Sequence, residues 1–328
     1  MKSVDRFQYP HGRKDLIQLI CAAETTTPRK MRSFVARYPV LVFVSVALAI
    51  QFTMVAFVHA LVPDGVSVND VPEAHNVFRL RVFVPIILVT FITWYLEGGV
   101  GLRKLFDSFF HWRAPAKWYA LAVSWKFIMA FIAIALAYLV YDLPVDWYIP
   151  GKMGDLLAHM PFIIGIALVE ETAWIRFSLT RMQSRYNAFW SCMIVGNCWA
   201  MWYLPMNLID IGTPLGVPDI VFHSGVVSLT VLLAWVYNST RSGTVLLVMQ
   251  ILSNTAFFIV PVLPTEVLPP HRIIMYAWVF VFVAITLIVV FGVKNLSRKP
   301  RVSWEEDEEL AEEAAQQDPP LAQLARPA

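Results

Sequence analysis

An all-α, polytopic transmembrane bundle of about eight helices is the fold class this sequence predicts, and three observations predict it. Of 328 residues, 58% are hydrophobic and 15% are charged, against roughly 25% charged in ordinary soluble domains. Apolar runs recur at about the 20 residues that a bilayer crossing needs. Lys and Arg gather in every other connection between those runs, which is where cytoplasmic loops retain positive charge.

The runs follow in order. Pro39–Val62 comes after a basic leader that carries eight Lys and Arg in residues 1–38. Val82–Leu96 is short and is followed by Arg103, Lys104, Arg113 and Lys117. Trp118–Tyr141 contains Lys126, which either snorkels or pairs with an acid such as Glu170 or Glu171. His159–Trp174, also short, ends in an acidic pair, and Arg176, Arg181 and Arg185 follow it. Ala188–Ile209 and Ile220–Tyr237 come next, the latter followed by Arg241. Thr244–Leu263 and Ile273–Val293 complete the set, with Lys294, Arg298, Lys299 and Arg301 beyond. The alternate connections are poorer in basic residues, so both termini are expected in the cytoplasm and the protein in the plasma membrane.

The chain divides into a basic N-terminal segment, 1–38, a membrane domain, 39–294, and an acidic tail, 295–328. That tail holds eight of the 24 acids, opening with Glu305-Glu306-Asp307-Glu308-Glu309. It has too few large apolar residues to build a core and reads as disordered. A short amphipathic piece is expected around Leu16–Ala23. No apolar core of a cleavable signal peptide precedes the first run, which therefore reads as a retained anchor. A net charge of +2 suggests no nucleic-acid partner, because topology accounts for the basic clusters. The lipid bilayer is the partner the composition implies. Cys21, Cys192 and Cys198 show no CxxC spacing and read as small apolar side chains.

Between the second and third runs, Leu102, Leu105, Phe106, Phe109 and Phe110 recur at helical spacing. That pattern predicts an amphipathic helix lying in the membrane interface, with Trp112 and Trp118 at headgroup level. Asn197 reads as a hydrogen-bonding group between helices, and His223 as a hydrogen-bonded or pore-lining histidine.

The strongest candidate for chemistry is Glu170-Glu171, set at the end of an apolar run. A charged side chain at mid-bilayer costs about 2.5–3.5 kcal/mol on insertion scales, so such acids usually face a protein interior and serve a function. From Glu170 the sequence reads EETAWIRFSLTRMQSRYNAF, and further on WAMWYLP and Asn238-Ser239-Thr240. In order and spacing these blocks resemble the CAAX protease and bacteriocin-processing (CPBP, or Abi) family of intramembrane proteases. The resemblance spans about residues 97–263 and implies a CAAX-protease-like helical core. It also implies a site in which glutamates, two histidines and an asparagine activate water for attack on a peptide bond. Glu170 and Glu171 match the acidic pair, and Asn254 matches the asparagine.

The chain departs from the family pattern at three motif positions. Tyr203 stands where the W-H-L-P block has histidine. Gln250 stands for the histidine of the HxxxN block. Arg176 falls one residue later than the family's arginine, at a helical angle about 140° from Glu171. Tyrosine and glutamine hydrogen-bond but are not ordinary zinc ligands or neutral-pH proton shuttles. The resulting expectation is a family member with a degenerate catalytic site at Glu170, Glu171, Tyr203, Gln250 and Asn254, and a binding or regulatory role toward a membrane-protein or peptide partner. The alternative is an active or altered endopeptidase in which Glu170 or Glu171 activates water. No cofactor is expected, and zinc only under that alternative.

Overall fold

The computed structural model describes residues 30–265 and 268–305. The segment around Leu16–Ala23, Cys21 and the acidic run from Glu306 onward lie outside the described residues. Among those described, every regular element is helical. Helical residues 30–37 lead into α1 (Pro39–Leu61), α2 (Pro72–Leu80) and α3 (Val84–Asp107). Then come α4 (Ala116–Tyr141) and α5 (Met153–Glu170), a π-helical segment (Glu171–Leu179), and the short α6 (Thr180–Gln183). Finally α7 (Ala188–Tyr203), α8 (Asp219–Thr240), α9 (Gly243–Ile259) and α10 (His271–Phe291) complete the bundle.

All eight expected runs are helices. Among the described residues, six helical stretches are long and apolar enough to cross a membrane, so this is a multi-pass membrane protein that has the lipid bilayer as its surroundings. The fifth and seventh runs are shorter helices of 16 and 17 residues. At 1.5 Å per residue they reach only about 24–26 Å, less than a hydrocarbon core of about 30 Å.

Packing proceeds from neighbour to neighbour: α7 on α8, α8 on α10, α10 on α4, α4 on α9 and α9 on α5. At the α7–α8 contact, a Cβ on Gly196 would come within 2.9 Å of the Val227 backbone. Only glycine lets the two helices approach so closely. The centre is aromatic. Trp174 stacks on Trp199 with ring centroids 5.8 Å apart, and Phe43 packs on Trp174 and Phe177.

The expected amphipathic helix is the second half of α3, separated from the first by a kink at Gly98, whose φ of 64° requires glycine. Its inner face differs from the apolar stripe read from the sequence. Gly101, Lys104, Leu105 and Ser108 are buried, whereas Phe110 is exposed. Lys104 turns inward because Trp304 lies over it, Nζ to ring centroid 4.4 Å.

That tryptophan belongs to a strap, residues 293–304, that folds back from α10 across one end of the bundle. The carbonyls of Val293 and Lys294 cap the α7 amides of Phe189 and Ala188. Asn238 and Gln183 exchange two hydrogen bonds, of 3.1 and 2.9 Å, and both also bind the strap backbone at Val302. Trp304 Nε1 donates to Glu97, and the Arg181 guanidinium lies 3.5 Å from the ring centroid. The first ten residues of the expected tail are thus packed structure.

Candidate functional site

The acidic pair sits where helical geometry changes. Glu170 ends α5, and Glu171 opens the π segment. This stretch has one residue more between the acids and the arginine than the family spacing implies. A π-turn bonds i to i+5 and so absorbs one inserted residue without rotating everything downstream. The backbone shows this, with the Thr180 amide donating to Ile175 O, five residues back; the Ser178 side chain adds its own bond, Oγ to Ala173 O at 2.7 Å. The helix therefore continues past Arg176. The guanidinium donates to Lys104 O from Nη2 at 2.6 Å and from Nε at 3.2 Å, and to the Tyr237 hydroxyl at 3.0 Å. Arg176 fastens α3 and α8 to the π segment. Glu171 is fully buried, and neither of its carboxylate oxygens has a hydrogen-bond partner among the described residues.

Glu170 is the organising acid. The Tyr203 hydroxyl donates to its Oε1 at 3.1 Å, and Gln250 Nε2 donates to its Oε2 at 2.5 Å. The two residues standing at the family's histidine positions thus converge on one carboxylate, from α7 and α9. Asn254, one turn beyond Gln250, faces the same cavity of about 200 Å³, which Glu170, Tyr203 and Gln250 also line. Its Nδ2 is buried without a partner among the described residues. Four of the five sequence-selected residues meet here, and Glu171 stands behind them.

Two cations that the sequence left open or missed are part of the surroundings. Lys126, on α4, does not snorkel, and among the described residues no carboxylate lies within salt-bridge distance of it. It is buried in the cavity wall, and its Nζ lies 3.9 Å from the Phe257 ring centroid, 4.8 Å from Tyr276, 5.4 Å from Trp125 and 5.6 Å from Phe280. Arg81, in the 3-10 turn between α2 and α3, is buried against Phe78 and the Trp202 ring beside Tyr203. In the sequence it stands just before the apolar run Val82–Leu96, and nothing there marks it for the site. Helices α4 and α10 also supply walls of the chamber.

The remaining candidates are elsewhere. His223 Nε2 and Asn197 Oδ1 are 2.7 Å apart, joining α8 to α7 at an exposed position. The His159 ring pairs with Asp155 O and lies against Phe258. Glu97, the other intramembrane acid, pairs with Arg181 at 2.8 Å under the strap. Cys192 and Cys198 are free thiols. Among the described residues, no three His, Cys, Asp or Glu side chains gather as a set that could hold a metal ion.

Residues 152–256 match the family model of the type II CAAX prenyl endopeptidase Rce1-like proteins. The chain carries an Rce1-like domain. The match begins just before α5 and ends within α9, so it takes in Glu170, Glu171, Tyr203, Gln250 and Asn254. Lys126 and the α10 wall of the chamber lie outside it. No curated protein matches the chain. Within the Rce1-like domain, the chemistry available at Glu170 is that of a hydrogen-bonded carboxylate facing a largely apolar cavity, with amide and ammonium donors nearby.

Proposed function

We propose that this Rce1-like membrane protein binds a ligand or partner segment in its chamber and does not cleave it. One observation carries the reading: both oxygens of Glu170 are held by Tyr203 and Gln250, the residues at the family's two histidine positions. Each Glu170 oxygen keeps a second lone pair, so a water could still reach it, but a general base needs more than that. A partner must then orient that water or shuttle its proton, and neither phenol nor amide shuttles protons near neutral pH. Glu171, sealed and without donors, serves as a packing and polarity element of the π segment. The five matched positions form a recognition site, and zinc has no imidazole among them.

The second reading, an altered endopeptidase, draws support from the cavity itself. Glu170, Tyr203, Gln250 and Asn254 line one space in which Tyr203 would donate to an oxyanion and Gln250 would place a water. Allelic replacement separates the two. Glu170→Gln keeps shape and hydrogen bonding but cannot take a proton, so the binding reading expects normal cellular function from it. Loss of function in a folded, abundant Glu170→Gln protein would transfer the conclusion to the peptidase.

The same proposal places both termini in the cytoplasm and ends the membrane unit after Trp304, with the acidic segment beyond. A reporter enzyme active only outside the cytoplasm, fused to the C terminus, tests the orientation, which fails if the fusion is active.

A further inference from the structure

The cavity contains an ammonium group whose hydrogen-bond donors its own protein leaves unused. Lys126 Nζ has three N–H donors. Among the described residues no carboxylate lies within 4.0 Å of it and no hydrogen-bond acceptor meets it; its neighbours are four aromatic rings. Ring faces favour an ammonium electrostatically, but they leave its donors unused. An ammonium more than nine-tenths buried without acceptors is costly. A ligand that brings acceptors completes it.

Helix α9 relates this ammonium to Glu170. Gln250, Asn254 and Phe257 stand at i, i+4 and i+7 on one helix face. Gln250 meets Glu170 at one end of that stripe, and Phe257 meets Lys126 at the other. At 1.5 Å per residue the stripe is about 10 Å long, so the two groups meet it at different turns. Asn254 lies between them, its Nδ2 buried and unpartnered.

We infer that Lys126, assisted by Asn254, anchors the carboxylate at the end of an apolar chain that enters this cavity. A single ammonium and an amide donor match one carboxylate, whereas a phosphate dianion would bring more charge than they offset. Val226, Leu229, Ile273 and Phe280 make the remaining wall apolar. The volume of about 200 Å³ lies below the roughly 300–1,000 Å³ of pockets that engulf whole small molecules. The site therefore takes the end of a chain. A fatty acid and the free C terminus of an apolar peptide share that chemistry. The inference rests on the binding reading of the chamber, yet Lys126 and all four of its rings, Trp125, Phe257, Tyr276 and Phe280, lie outside the family match.

The test uses the full chain in lipid nanodiscs and native mass spectrometry with matched probes. One pair is decanoate and 1-decanol; the other is N-acetyl-trileucine and its C-terminal amide. The wild-type protein should bind the carboxylate of at least one pair about tenfold or more tightly than its uncharged analogue. Lys126→Met should erase that preference, and Lys126→Arg should keep most of it. The pair that shows the preference identifies the source as lipid acid or peptide terminus. Equal binding of acid and analogue in both pairs, or a preference that survives Lys126→Met, overturns the assignment. The wild-type comparison decides the matter alone if the methionine variant does not fold. Release of shorter peptide in the same samples would refute the non-cleaving reading while leaving the Lys126 assignment standing.

Discussion

Replacing Glu170 by alanine removes the acceptor that Tyr203 and Gln250 share, and the structure sets the size of the effect. Two interhelical hydrogen bonds disappear, one at 3.1 Å from α7 and one at 2.5 Å from α9. Such bonds in membrane bundles are worth about 0.6 kcal/mol each on average and up to about 1.7, so the pair contributes roughly 1–3 kcal/mol. For a chain of this size that corresponds to a fall in melting temperature of roughly 1–5 °C. Glutamine at the same position behaves differently. Its oxygen still accepts one of the two bonds, and its amide nitrogen can donate to the Tyr203 oxygen once that hydroxyl rotates. Gln250 Oε1, buried and unpartnered at present, gives a second acceptor after an amide flip. Glu170→Gln should therefore stay within about 1 kcal/mol of the wild type. The assay is thermal unfolding of the purified protein in a mild detergent, followed by tryptophan fluorescence. An alanine variant that melts with the wild type would refute the organising role of Glu170. So would a glutamine variant that melts as low as alanine.

Three other perturbations probe separate links. Deleting Ile175 should convert the π segment to an α-helix and leave a folded protein, whereas inserting an alanine there should disrupt folding; equal loss of membrane-inserted protein from both would refute the register account. Trp304→Ala should cost about 3–5 kcal/mol, as expected for a buried tryptophan, and expose the strap to limited proteolysis, while Trp304→Phe should retain most of that stability. The double variant Tyr203→His, Gln250→His should gain zinc by metal analysis, because two imidazoles would then face the Glu170 carboxylate; unchanged zinc content would show that the two positions do not share a first coordination sphere.

The sequence made the bundle legible because length and apolarity alone decide a membrane helix, and each of the eight runs is helical. The acidic pair was legible for a related reason, since a carboxylate in such a run stands out against its neighbours. The convergence of Tyr203 and Gln250 on Glu170 followed from motif position, although which of the two acids they would bind did not. What stayed hidden depends on geometry that the usual period does not describe. A count of 3.6 residues per turn turned Arg176 away from Glu171, and nothing local announced i→i+5 bonding; the Thr180–Ile175 bond appears only once the backbone is in place. The Lys126 cage draws Phe257, Tyr276, Trp125 and Phe280 from three helices, and no periodicity predicts such a gathering. Residues 295–304 read as a polar tail because their aromatic anchor, Trp304, gains its value from Arg181 and Glu97, far away in sequence. The Gln183–Asn238 pair was visible as two motif residues but not as one contact.

The measurement that bears most directly on a chamber that binds without cleaving is a turnover assay. Purified full-length protein, in lipid and with zinc supplied, is incubated with prenylated and unprenylated peptides, and the products are followed by mass spectrometry. The account predicts that wild-type and Glu170→Gln proteins give the same background, with every peptide intact. Cleavage by the wild type that disappears in Glu170→Gln, while the variant stays folded, would contradict it.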